Sequence, residues 1–570
     1  MKLFRTTALA LSAVVLTVLC AALFSVKTNT AQIGSENLTG CRFTLENTLS
    51  PQSLRIFSTA EENYLFIPSC ADTLTFTFEA HHAEIDGEVC YSGCLLSTDT
   101  LCGVHSFRFF DADGGETEAI ELSGLLSGEI PAVFIATATG SYSANTDKLR
   151  REYCTVEIVN PDGSDEYGNV HPYSDVIRGH GNSTWRDHEK RSYNLYLQFA
   201  EDLFGMGQSD EWVILANAAD RTGIRNKLVY DYASQIGLEY SPESRFVDVY
   251  FDGLYHGTYL LCERPQSGRE RVDIGDDGIL FTMEAGIRLT GKESEHITEK
   301  GQQLVRLEPE ANNGGWTQRF VRIVDGFEER ISSDFTFSEL EKYIDVESWA
   351  KMGIIEELFS DLDAWTTSQY FYIKSDSDII YAGPVWDFDS SSGNSSGTLS
   401  TEKTDLINLL DYNCDTNYLG EPTPWFYLLM QNKEFYDHVR SVFAEEIYPD
   451  FEEKMLLAVN TCLDTLSPSR RMNAIRWILP DGSADTEHLE EFLMQRLDFF
   501  RRIWIDCEPF HSVTYRDTGV SLAYFDGEEC PADLYYYNWF FDKERTRPAK
   551  AFIPEGDTVL YAEVDEPYPR

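Results

Sequence analysis

A glycine-rich polar turn runs from Gly179 to Trp185, reading Gly-His-Gly-Asn-Ser-Thr-Trp, and leads through Lys190 and Arg191 into the alternating run Tyr193 to Leu197. That order can set backbone N–H groups and an ammonium around phosphate oxygens. Far downstream, Trp386-Asp387-Phe388-Asp389 puts two carboxylates on one tight segment, a donor set suited to a hard divalent cation. The two stretches together point to nucleotide phosphate chemistry. Such an anion needs a locally basic or metal-bearing pocket here, because 46 Lys and Arg face 95 Asp and Glu, a formal net charge of −49. The same imbalance argues against nucleic acid as a partner, since binding it requires clustered cations that displace counterions.

A chain of 570 residues is too long for one core, and several domains must position these groups. Residues 1–30 read as a targeting segment. Lys2 and Arg5 precede an apolar run from Ala8 to Val26, just long enough for a hydrocarbon core of roughly 30 Å. The basic flank predicts the N-terminus inside and the rest outside. The protein is therefore expected outside the cell or on its surface, through a cleaved signal peptide or an anchor at residues 8–26. Of twelve cysteines, Cys41, Cys70, Cys90, Cys94 and Cys102 fall early, where an oxidising compartment permits disulfides.

Residues 31–130 read as an accessory β domain, a β-sandwich by default. Leu74-Thr75-Phe76-Thr77-Phe78 alternates, and Asp-Gly turns recur. From residue 131 the pattern becomes mixed α/β. Tyr193, Leu195, Leu197 and Phe199 are expected on one face of a strand. A helix is predicted from Asn226 to Ile236 with a Gly237 stop. Asp252-Gly253 marks a hairpin between Phe246–Phe251 and Tyr255–Glu263. A helix is predicted over Val346 to Phe359, a second hairpin over 370–382, and helices over 430–505. Residues 509–570 read as a small β module.

Four ordered blocks resemble the CotH family of spore-coat-type atypical protein kinases. They are Gly179 to Tyr193; Trp212 to Asn226; His256-Gly257-Thr258-Tyr259-Leu260-Leu261-Cys262-Glu263 with Arg271-Val272; and Asp361-Leu362-Asp363 through Pro384-Val385-Trp386-Asp387-Phe388-Asp389. The likeness covers about residues 131–508, and residues 509–570 weakly resemble an internalin-type B repeat. The resemblance implies an α+β fold: a reduced protein-kinase-like core, preceded by the β-sandwich-like domain and followed by the small β module. It also implies ATP and a divalent metal, Mg2+ or Mn2+.

Phosphoryl transfer needs a positioned γ-phosphate, neutralised charge and an oriented acceptor hydroxyl. On the resemblance, Lys190 is the cation at the phosphates, with Arg191 as competitor, and Glu263 is its ion-pair partner. Asp363 orients the acceptor, with Asp361 as alternative. Asp387 and Asp389 hold the metal; in an extended segment they would point to one side, with Phe388 opposite. Gly179, Gly181 and Asn182 shape the nucleotide loop. Arg225 contacts phosphate or locks the turn to Asp220. Three residues depart from the expected pattern. His180 stands where the family usually has arginine, Arg191 replaces a lysine, and Ser368 follows Asp363 by five where a kinase carries a metal-binding Asn. The reading is an exported kinase acting on Ser or Thr of a protein substrate. The alternative is a non-catalytic surface adhesion or cell-wall-binding protein on the same scaffold.

Overall fold

The computed structural model describes residues 40–141, 146–169, 171–284, 296–309, 314–361, 364, 367–395, 398–399, 424–480, 482–516, 520–531 and 538–563. The expected targeting segment and Asp363 lie outside the described residues. No helix among the described residues is long and apolar enough to cross a membrane. The described residues form two compact units, the first running from residue 40 to Leu126 apart from 47–50 and 68–70.

The first unit carries a four-stranded and a six-stranded sheet. The alternating run becomes the strand Thr73–Thr77, which buries Leu74 and Phe76 and turns its threonines outward. Phe76 stacks on Phe43 of its own sheet and meets Phe107 of the other sheet edge-on at 5.6 Å. Apolar packing of this kind is what alternation in a half-buried strand produces.

The second unit opens with a closed barrel. Its strands are β1 (Ala132–Thr137), β2 (Arg151–Val159), β3 (Asp165–Gly168), β4 (Asp175–His180), β5 (Ser192–Asp202), β6 (Gln208–Leu215), β7 (Ser244–Phe251) and β8 (Leu254–Cys262). The order β1-β7-β8-β6-β5-β4-β2 closes on itself because β2 also pairs with β1, Ala132 opposite Val159; β3 hangs on β2. Seven strands thus make a barrel, and β1–β7 is its parallel seam. Val133, Val156, Ile177, Leu195, Trp212 and Val249 fill its interior. Asp252 and Gly253, at φ 49° and 81°, make the tight turn from β7 to β8. Phe199 was expected beside Leu197 but is 63% exposed, because pairing with β6 is interrupted between Tyr196 and Glu201 and side-chain alternation is lost there.

Helix α1 (Ser183–Asp187) follows β4, and α2 (Arg225–Gln235) follows β6. A second sheet contains β9 (Ile279–Met283), β10 (His296–Ile297), β11 (Gln303–Glu308), β12 (Gln369–Ile373) and β13 (Ile380–Ala382) in the order β10-β11-β9-β12-β13. Helix α3 (Val346–Phe359) spans the predicted range; Asp345 caps it by accepting from Ser348 N, and Ser360 ends it in a left-handed turn. Helices α4 (Phe451–Trp477) and α5 (Ser483–Phe500) follow. One large core joins α2, α3, the second sheet and these helices. A four-stranded sheet near the C-terminus buries Val513, Tyr515, Leu522 and Trp539. The fold is mixed α+β, with a barrel in place of an open sheet at its first half.

Candidate active site

Pairing across four strands makes one row: Arg178 on β4 opposite Asn194 on β5, Asn194 opposite Val213 on β6, and Val213 opposite Cys262 on β8. Cross-strand partners share a face. Val213 and Cys262 belong to the core outside the barrel, together with Tyr230 of α2 and Trp386. His180, two residues beyond Arg178, shares that outer face. Its Nδ1 lies 3.2 Å from Asn194 Oδ1, and its ring meets Trp386 perpendicularly at 6.3 Å. Trp386 in turn stacks on Tyr230 at 5.8 Å. The glycine turn and the acidic segment, far apart in sequence, therefore meet on one surface.

The acidic segment is fixed from beneath. Asn226, at the start of α2, accepts from Phe388 N at 2.8 Å and donates to Asn217 Oδ1. Asp387 is exposed and sits in the left-handed region at φ 71°, ψ 46°, and residues Phe388–Ser390 turn tightly behind it. The segment is not extended, so alternation does not put Asp387 and Asp389 on one side as expected. Ser368, itself left-handed at φ 57°, donates its hydroxyl to Asp387 Oδ2 at 3.3 Å. Thr367 donates to Glu284 Oε2 at 3.1 Å. Tyr370 is held above its usual range by burial first and then by Glu284 and Asp387, while Arg264 draws it down. Two carboxylates and a guanidinium therefore surround one phenol. Among the described residues no group of three or more His, Cys, Asp or Glu could hold a metal ion. Asp387 is an exposed carboxylate with the Ser368 hydroxyl at its edge.

On the barrel side of the same surface the groups are basic. Burial drives His180 down to about 4, and Arg264, Lys148 and Arg178 reinforce the shift; the ring is neutral at physiological pH. Arg264 pairs with Glu211. Lys148 donates to Asn182 Oδ1 at 2.6 Å. Arg178 and Arg264 are cations that motif reading passed over. Alternation on β4 places Arg178 on the face of His180, and that was the available signal.

Several expected site residues have other work. Gly179 is a strand residue, and a Cβ there would lie 2.5 Å from the Trp185 ring inside the barrel; its small size makes room for that indole. Gly181 turns the chain at φ 79°, and Asn182 is exposed beside it. Lys190 is buried, donates to the Thr258 carbonyl, and lies over the Tyr259 ring at 4.6 Å. Burial pulls it down to about 7, opposed by the charge of Asp248. Glu263 was expected to pair with Lys190. It pairs with Arg271, whose Nη1 also donates to Met206 O at 2.7 Å and whose guanidinium lies over Trp212. The reason is positional: Glu263 follows the far end of β8, four residues beyond the Tyr259 that Lys190 covers. Arg225 is only 1% exposed. It ion-pairs with Asp220 and donates to the carbonyls of Ser391 and Ser392 at 3.0 and 3.2 Å, which makes it the clamp between two turns and leaves it no reach to a phosphate.

The sequence profile of the family described as CotH kinase protein matches residues 177–500, more than half of the chain. No curated protein matches it.

Proposed function

The chain belongs to the CotH kinase protein family, and from that premise we propose that it transfers the γ-phosphate of ATP to Ser or Thr hydroxyls of a protein substrate, with Mg2+ or Mn2+ bound. The observation that carries this reading is the His180–Trp386–Tyr230 contact, which brings a basic strand face and an acidic turn to one surface. Phosphoryl transfer is largely positioning and charge neutralisation, and a surface basic on one wall and acidic on the other suits a polyphosphate carrying a divalent cation.

Asp387 is the proposed metal ligand, with Asp389 and the Ser368 hydroxyl beside it. A divalent ion there would neutralise phosphate charge. Asp363, close in sequence to Ser368, is the proposed group that orients the acceptor hydroxyl. Gly181 and Asn182 stand on the exposed turn at the basic wall. His180, neutral, orients Asn194 and packs the acidic segment instead of adding charge. The targeting segment at residues 1–30 supports export, and the substrate is then a protein outside the cell or on its surface.

The test uses the full chain. Isothermal titration should show ATP binding that depends on Mn2+ and disappears in Asp387→Ala. Asp363→Asn should keep that binding and lose transfer of labelled phosphate to protein. If glycan or surface-protein binding is found instead, and it survives Asp387→Ala while ATP never binds, the adhesion reading replaces this one.

A further inference from the structure

Arg178 is unusual in this molecule. The chain has about two acidic side chains for every basic one, and the buried arginines Arg225, Arg271 and Arg496 all hold carboxylates. Arg178 makes no ion pair or side-chain hydrogen bond among the described residues, although its Nε is enclosed. It is half-buried in the middle of a strand, directly opposite Asn194. An enclosed donor without an acceptor is destabilising, so a partly sunken guanidinium with no acceptor is a poor choice for stability alone. Its surroundings are those of the proposed site: His180 stands on the same face and touches Trp386, and Asp387 follows Trp386.

We infer that Arg178, supported by Arg264, is the polyphosphate-binding cation of this site, and that the Lys190 ammonium takes no part in it. This rests on the kinase reading and names which side chain carries the phosphate contact. The guanidinium presents its N–H groups in a planar fork that matches two phosphate oxygens, which an ammonium does not. Arg264 is held by Glu211, so it adds charge at the surface with less freedom to move. Lys190, in contrast, is bonded to a backbone carbonyl and covered by an aromatic ring.

Full-length wild type and variants are titrated with Mn2+–ATP, Mn2+–tripolyphosphate and adenosine, and melting temperatures are recorded alongside. Arg178→Gln should weaken both polyanions about tenfold or more, the range for hydrogen bonds to charged groups. It should leave adenosine unchanged and melt at or above the wild-type temperature, because an unpartnered buried donor is removed. Arg178→Lys should recover part of the loss, and Arg264→Gln should weaken the polyanions by a smaller factor. Lys190→Met should keep both affinities. Wild type that binds tripolyphosphate but not ATP, with the Arg178→Gln loss intact, would uphold this site and remove the nucleotide reading. Equal affinities in wild type and Arg178→Gln, absence of polyanion binding altogether, or a lowered melting temperature for Arg178→Gln would overturn the inference.

Discussion

Two regions of the barrel treat a cation in opposite ways. At the Lys190 end the charge is absorbed into structure. Asp248, fully buried, accepts from Tyr255, Thr258 and Ser469. Thr258 N donates to Asn473 Oδ1, Trp477 Nε1 to His256 O, and Arg476 Nε to Tyr255 O. The bonds of Ser469, Asn473, Arg476 and Trp477 tie β7 or β8 to helix α4. At the Arg178 face the guanidinium makes no ion pair among the described residues, and the His180 and Trp386 rings meet beside it. The first region is a joint between barrel and helix; the second is the face on which the proposed phosphate contact rests. A lysine beside a glycine-rich motif is thus not evidence of phosphate binding until its partners are known.

The largest effect that would sharpen this contrast is expected at the clamp beneath the acidic turn. Arg225→Ala strands Asp220, itself 3% exposed, and breaking a buried pair costs about 3–5 kcal/mol. Urea unfolding should show that loss, and Mn2+–ATP binding should weaken with it because Ser391 and Ser392 lose their anchor. A loss under about 1 kcal/mol would mean the clamp is not a buried pair in solution.

The second effect is a pH dependence at the joint. Lys190 has a folded pKa near 7 against an ordinary 10.5. Between those values the unfolded chain binds more protons, so stability rises with pH through this window and is flat below 7, where the buried charge is fully costly. The stability of wild type relative to Lys190→Met should therefore climb between about pH 7 and 10, on the order of a few kcal/mol. A flat difference would place Lys190 in water.

Third, Asn226→Ala removes the acceptor for Phe388 N and should cost about 1–3 kcal/mol. It should also lower phosphate transfer more than ATP binding, since it loosens the turn that aims Asp387. The smallest effect is at His180. Its folded pKa of about 4 lies below the ordinary 6.5, so stability is lost as pH falls through that interval. The difference between wild type and His180→Gln, followed by thermal unfolding from pH 7 to 4, should shrink by a smaller amount because the ring is half-buried.

Much of the scaffold was legible in sequence. Helix α3 and the Asp252-Gly253 hairpin follow from local periodicity and turn chemistry, which act over a few residues. Closure of the barrel was not legible, because it depends on Ala132 pairing with Val159 and on the parallel contact of β1 with β7. The family blocks located the acidic turn, yet its left-handed Asp387 undid the same-side inference drawn from an extended strand. The resemblance implies a Lys190–Glu263 ion pair, whereas Glu263 pairs with Arg271 and Lys190 lies over Tyr259, four residues earlier. Arg178 precedes the Gly179–Tyr193 block by one residue; alternation with His180 gives its face, while its lack of an ion pair among the described residues is a property of the folded chain.

The most direct measurement is a crystal structure of the full chain with Mn2+ and a non-hydrolysable ATP analogue. The account predicts an anomalous manganese peak at the Asp387 carboxylate and phosphate oxygens within hydrogen-bond reach of the Arg178 guanidinium. Phosphates at Lys190, on the Thr258–Tyr259 end of the barrel, or manganese bound away from Asp387 would contradict it.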